Sequence, residues 1–91
     1  MNEEYLKHAA YIHTSKYRER IMKYLQKQEY ATPTDIAKNT GINGSHTSTT
    51  LVELDNMGFV ECLNKEARKG RLYKLTSLGM DVVEHLDLLK T

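Results

Sequence analysis

The chain has one cysteine, one proline, one phenylalanine and no tryptophan in 91 residues. A single thiol, Cys62, excludes an internal disulfide and fits a reducing compartment, the cytoplasm. No run of roughly 18 apolar residues occurs, so no membrane-spanning helix and no membrane partner are expected. The first residues, MNEEYLKH, are acidic and polar and lack the apolar region of a signal peptide, so a leader is not expected. Low-complexity linkers and internal repeats are also missing. At 91 residues the length suits one domain rather than two. Such a small core buries a modest share of its surface, so a dimer interface would add stability.

The patterns of catalysis are missing too. There is no nucleophile and base at a known spacing, no paired-carboxylate motif, no phosphate-binding loop and no H-E-x-x-H. No catalytic residue, enzyme activity or cofactor is therefore expected. Cys62, with His8, His13 and His85, matches no zinc spacing, so no metal is expected. Cys62 alternates with Val60 in a strand-like run, and a small buried residue is the better reading.

What is present is patterned. The net charge of +1 hides alternating segments: residues 15–29 carry +3, residues 30–63 carry −3, and residues 64–74 carry +4. Segments of one sign, rather than the total, set what a surface attracts. Residues 15–28, SKYRERIMKYLQKQ, read as an amphipathic helix with Ser15 as N-cap and Tyr17, Ile21 and Leu25 on one face. The preceding arm, residues 1–14, has Tyr5, Leu6, Ala9, Ala10 and Ile12 at helical steps. Tyr30–Ala31 reads as a short strand.

Thr32-Pro33-Thr34-Asp35 starts a helix, since Thr32 can cap and proline suits the first helical position. Gly41 ends it, and Asn43 can cap a second helix running to Met57. Two helices joined by a tight glycine-containing turn form a DNA-binding arrangement. Phe59–Leu63 and Arg71–Leu75 read as strands of a hairpin with a basic tip, KEARKGR. Thr76 then caps a last helix, striped by Leu78, Val82, Leu86 and Leu89 and widened by Met80, Val83 and Leu88.

The second helix of the pair opens with Ser45–Thr50, six small or polar residues without a large hydrophobe. Thr47 shares a face with Leu51 and Leu54 and should point inward. The others suit a partner outside the chain, because short hydroxyl side chains let a helix approach base edges and phosphates closely. The alternative is a solvated face, although Ser and Thr are poor residues for a helix interior.

The segments PTDIAKNTGI, STTLVELDNMGFVE and ARKGRLYKLTSLG together resemble winged helix-turn-helix transcriptional regulators, of the small MarR/ArsR-like type abundant in archaea. The resemblance covers residues 15–80 or so. It rests on the helix pair followed by L-x-x-L-x-x-x-G-F-V, a basic hairpin, and Y-x-L-T-x-x-G. It implies a mainly α (α+β) fold with a two-stranded β wing and flanking N- and C-terminal helices. The winged helix domain would span residues 15–91. The family's function would be sequence-specific double-stranded DNA binding, with the recognition helix in the major groove and the wing on the flanking backbone or minor groove. Candidate DNA contacts are then Thr34 and Lys38 on the first helix of the pair and Asn43, Ser45, His46, Ser48 and Thr49 around the second. In the wing they are Arg68, Lys69 and Arg71, the last with the alternative of pairing with an acid.

Two departures stand out. Thr47 occupies a place usually held by a bulky apolar residue, and the recognition face carries no Lys or Arg. A protein-interaction module without DNA binding is therefore the alternative function. The apolar last helix and the N-terminal arm suggest a homodimer interface of Tyr5, Leu6, Ala9, Ile12, Val82, Val83, Leu86 and Leu89. The competing reading has these two segments cover each other within one chain.

Overall fold

The computed structural model describes residues 3–89, without the side chain of Leu89. Five helices and a small hairpin follow in the order α1 (Glu3–His13), α2 (Lys16–Gln26), α3 (Pro33–Thr40), α4 (Gly44–Asn56), β1 (Val60–Cys62), β2 (Tyr73–Leu75) and α5 (Ser77–Leu89). The strands are antiparallel, with Val60 opposite Leu75 and Cys62 opposite Tyr73. The expected short strand at Tyr30–Ala31 is reduced to a bridge, in which Ala31 exchanges both backbone hydrogen bonds with Tyr73 at 2.9 Å. This is a winged helix-turn-helix, mainly helical with a small β wing.

The helix starts follow from capping. Ser15 accepts from the backbone N–H of Arg18, Thr32 from that of Asp35, and Asn43 from that of His46. Each satisfies a donor that the first turn leaves unpaired. Gly41, at φ 75°, closes α3 in the left-handed conformation. Gly58 does the same for α4 at φ 79°. There the N–H of Phe59 reaches the carbonyl of Leu54 and that of Gly58 reaches Asp55, both at 2.9 Å. This double bond pattern turns the chain sharply and drives Phe59, fully buried, into the core.

The core holds Ile21, Met22 and Leu25 of α2, Ile36 of α3, Leu51 and Leu54 of α4, Phe59, Val60 and the inner faces of α1 and α5. Tyr17 departs from the expected stripe: it is exposed, and its ring lies over α4 rather than in the core. In α4, Thr47 is buried as expected. Thr50 is buried as well, so the polar opening of α4 still has an inner face. Threonine methyl groups there replace bulky side chains, and the Thr47 hydroxyl turns back to the carbonyl of Ile42 at 3.4 Å. Cys62 is half-buried rather than buried, with Sγ 3.6 Å from Asn64 Oδ1.

Most of the side chains expected at a homodimer interface are covered within one chain. Ala9, Ile12, Val82, Val83 and Leu86 have no exposed surface within one chain, because α1 lies along α5. These segments cover each other. Tyr5 is half-buried, stacking on His85 at 5.0 Å with its hydroxyl 3.4 Å from Asp81 Oδ2. Of the described candidates only Leu6 is exposed. The Leu89 side chain lies outside the described residues.

Arg18 ties three helices together. Its guanidinium lies 3.9 Å from the centroid of the Tyr11 ring, donates to the Tyr11 carbonyl at 3.2 Å and pairs with Glu53 of α4 at 2.8 Å. Nothing in its sequence context distinguishes it from the exposed basic residues of α2. Arg18→Ala should therefore cost about 2 kcal/mol in a chemical denaturation experiment, through the loss of packing, of the cation–π interaction and of charged hydrogen bonds. Arg18→Lys should recover only part of it, since an ammonium cannot fork between Glu53 and the Tyr11 carbonyl. An unchanged midpoint in Arg18→Ala would remove this role.

Candidate nucleic-acid interface

The outer face of α4 presents Ser45, His46, Ser48, Thr49 and Val52, all exposed. No lysine or arginine lies on α4, so positive charge must come from elsewhere. It comes from the wing, the ten residues between β1 and β2. A groove of about 590 Å3 runs between the start of α3, the middle of α4 and the wing. Thr34, Ser48, Arg68, Lys69 and Arg71 line it together, joining three segments distant in sequence. Lys38, Asn43, Ser45, His46 and Thr49 are exposed but do not line it.

The wing is shaped by side chains that replace the strand ladder. Beyond Cys62 the pairing between the strands continues with a backbone bond from Leu63 N–H to the Leu72 carbonyl at 2.7 Å. Asn64 then takes over: its Oδ1 accepts from Leu72 N–H at 2.7 Å and its Nδ2 donates to the Gly70 carbonyl at 3.2 Å. This ends the strands at Cys62 and Tyr73, short of the expected Leu63 and Arg71, while at the other end Phe59 belongs to the turn that closes α4. The Arg71 guanidinium closes the loop from inside, donating to the Ala67 carbonyl at 2.7 Å and the Lys65 carbonyl at 3.1 Å. It pairs with backbone oxygens rather than with an acid. Arg68 and Lys69 stand exposed at the tip.

At the amino end of α4, Asn43 is committed to its own helix as the cap, accepting from His46 N–H at 2.8 Å. The ring of His46 stacks on Tyr17, centroids 4.8 Å apart and planes 29° from parallel. Sequence reasoning misses Tyr17, Val52 and Asn64 as parts of this surface. Tyr17 satisfies the apolar spacing of α2 and so reads as core. Val52 does carry a signal, one turn beyond Ser48 on the same face. Asn64 looks like a strand boundary and is the hub of the wing.

The described residues hold no group of three or more His, Cys, Asp or Glu placed to bind a metal ion. None of the described helices is long and apolar enough to cross a membrane.

No curated protein sequence matches the chain. Solved structures do. NadR, solved in complex with 4-hydroxyphenylacetate, superposes with a TM-score of 0.74 at 20% identity, covering 94% of this chain and 62% of its own. MepR, a transcription regulator of the multidrug efflux pump MepA of Staphylococcus aureus, gives 0.74 at 22%, covering 96% and 67%. The homodimeric winged helix-turn-helix DNA-binding domain of Mb0332 from Mycobacterium bovis, a possible ArsR-family transcriptional regulator, gives 0.65 at 25%, covering 96% and 76%. The chain thus spans about three fifths of the NadR length, and these likenesses establish the fold. The model of the bacterial regulatory protein, arsR family, matches residues 15–61. Nothing in these matches supports the association with archaea. The matched segment holds the helix pair with its entry helix and the start of the first wing strand, more than half of the sequence, and the chain belongs to the arsR family of bacterial regulatory proteins.

Proposed function

We propose that the chain is a DNA-binding transcriptional regulator that recognises double-stranded DNA in the cytoplasm, without catalytic activity. The observation that carries this reading is the shared groove, in which Ser48 of α4, Thr34 of α3 and the cationic wing face one space. In it α4 enters the major groove, where hydroxyls reach base edges, and Arg68 and Lys69 meet the flanking phosphates or minor groove. Thr34 and Lys38, four residues apart and so on one face of α3, would touch backbone in this reading. Arg71 shapes the wing and adds its charge from within.

A homodimer would match a two-fold operator, as the homodimeric Mb0332 domain suggests by its likeness. Since the described α1–α5 core is already covered, such a dimer would use the outer surface of these helices, including Leu6. Selection from a random duplex pool tests the reading. It should return a symmetric sequence with half-sites about 10 base pairs, one helical turn, apart or a multiple of it. Ser48→Ala or Thr49→Ala should change the selected bases, with discrimination at the affected position falling by about fivefold or more and little change in salt dependence. Recovery of random sequence would contradict specific readout. The absence of any cation on α4 favours the second reading, a protein-interaction module. That reading requires that the folded protein bind no DNA.

A further inference from the structure

The first turn of α2 touches the first turn of α4 through one ring pair. Tyr17 is 39% exposed, although it sits in the apolar register of its helix. Its ring lies against the His46 imidazole at 4.8 Å, in a near-parallel stack. This fixes the plane of the imidazole. A second contact fixes its rotation and its tautomer. Asn43 Oδ1 accepts from the backbone N–H of His46 at 2.8 Å, which settles the orientation of the amide. The Nδ2 end of that amide therefore faces His46 Nδ1, at 3.3 Å. An amide nitrogen only donates, so Nδ1 must accept and the ring proton of the neutral imidazole sits on Nε2. Two residues thus leave the exposed His46 with one free polar group, an Nε2–H donor at the amino end of α4.

We infer that Tyr17 and Asn43 hold His46 as a pre-oriented single donor that reads the N7 edge of a guanine in the major groove, Tyr17 acting as a positioning residue. This rests on the DNA-binding function proposed above. The neighbouring serine and threonine hydroxyls donate or accept and so discriminate weakly between edges. A group that only donates behaves differently. Guanine presents two adjacent acceptors, N7 and O6. Adenine places an amine beside its N7, thymine a methyl beside its O4, and cytosine an amine donor. A lone donor is met best by guanine. Holding the ring before binding lowers the ordering cost of the contact. The assembly also explains why an exposed tyrosine lies in an apolar register: its ring packs on a recognition side chain instead of the core.

Two measurements test this. In the free protein, long-range 1H–15N correlation spectra at a pH where the imidazoles are neutral report the tautomer of each histidine, with His46→Ala identifying its signals. His46 should carry its proton on Nε2. Its ring protons should be shifted by the tyrosine ring current in the wild type and in Tyr17→Phe, and lose that shift in Tyr17→Ala. A proton on Nδ1, or a shift indifferent to Tyr17→Ala, overturns the assembly.

In the DNA arm, each guanine of the selected duplex is replaced in turn by 7-deazaguanine, which lacks the N7 acceptor. One guanine per half-site should weaken wild-type binding about fivefold on replacement, the scale of one neutral hydrogen bond. That loss should vanish in His46→Ala, shrink in Tyr17→Ala and return in Tyr17→Phe. A protein that binds DNA with no His46-dependent loss at any guanine overturns this inference alone, as does a full loss retained in Tyr17→Ala. A folded wild-type protein that binds no duplex overturns the DNA-binding function and this inference together.

Discussion

Replacing Gly79 by alanine should lower the melting temperature by on the order of 15 °C, a loss of about 3 kcal/mol for a domain of this size. The cause is space. A Cβ built on Gly79 would lie 2.0 Å from the carbonyl oxygen of Phe59 and 2.9 Å from its carbonyl carbon. Both are backbone atoms, so no side chain can swing aside. The backbone there is also held. The Phe59 carbonyl accepts from Thr76 N–H at 3.0 Å, and the Thr76 hydroxyl donates to the Gly58 carbonyl at 2.6 Å while accepting from Gly79 N–H at 3.0 Å. The T-S-L-G segment thus caps α5 and pins its first turn onto the bend where α4 gives way to β1. Alanine at position 79 would push α5 away from Phe59, the largest fully buried side chain. Gly44 is the control. An added Cβ there meets nothing within 4 Å, so Gly44→Ala should be neutral or gain about 0.5 kcal/mol. Thermal melts followed by circular dichroism separate the two. Equal melting temperatures for Gly79→Ala and the wild type would mean that the close approach does not govern stability.

The second large effect concerns the wing. Arg68→Ala/Lys69→Ala should weaken binding to all duplexes by an order of magnitude or more near physiological salt. It should also reduce the slope of log K against log salt by about one unit for each phosphate no longer neutralised, so up to about two per protomer. Their charges are exposed at the tip of a groove shared with α4, and a grip made through counterion release carries no base preference. Arg71→Ala should behave differently. Its fork holds the Ala67 and Lys65 carbonyls, so its removal should loosen residues 64–72 and accelerate their amide exchange. Affinity would then fall through disorder of the tip, with a smaller change in slope than in the double variant. Equal slopes and equal exchange in both variants would remove the distinction between a gripping and a shaping arginine.

The parts of the molecule legible from sequence are those fixed by local chemistry. Thr32 and Asn43 announce their caps, Gly41 and Gly58 their turns, and the L-x-x-L-x-x-x-G-F-V run the passage from α4 into the wing. Each depends on residues within a few positions of itself. What stays hidden depends on partners far along the chain. Arg18 cannot be told from Lys16 or Arg20 without Glu53 and Tyr11 placed around it. Tyr17 obeys the period of α2, but periodicity cannot say that the neighbour at that height is His46 rather than the core. Val82 and Leu86 read as facing a partner subunit because a stripe does not reveal whether α1 or another chain covers it. Arg71 counts as a positive charge in the sequence, and its role changes once the loop carbonyls close on it. The candidate surface is thus readable as a set of residues, while the division of labour inside it is not.

DNA binding by α4 and the wing is tested most directly by fluorescence anisotropy of a labelled random-sequence duplex, titrated with the folded protein over a series of salt concentrations. Binding should weaken linearly in log K against log salt, with a shallower slope in Arg68→Ala/Lys69→Ala. A folded wild-type protein that leaves the anisotropy unchanged even at low salt would contradict DNA binding. The uncharged face of α4 would then be a surface for another protein.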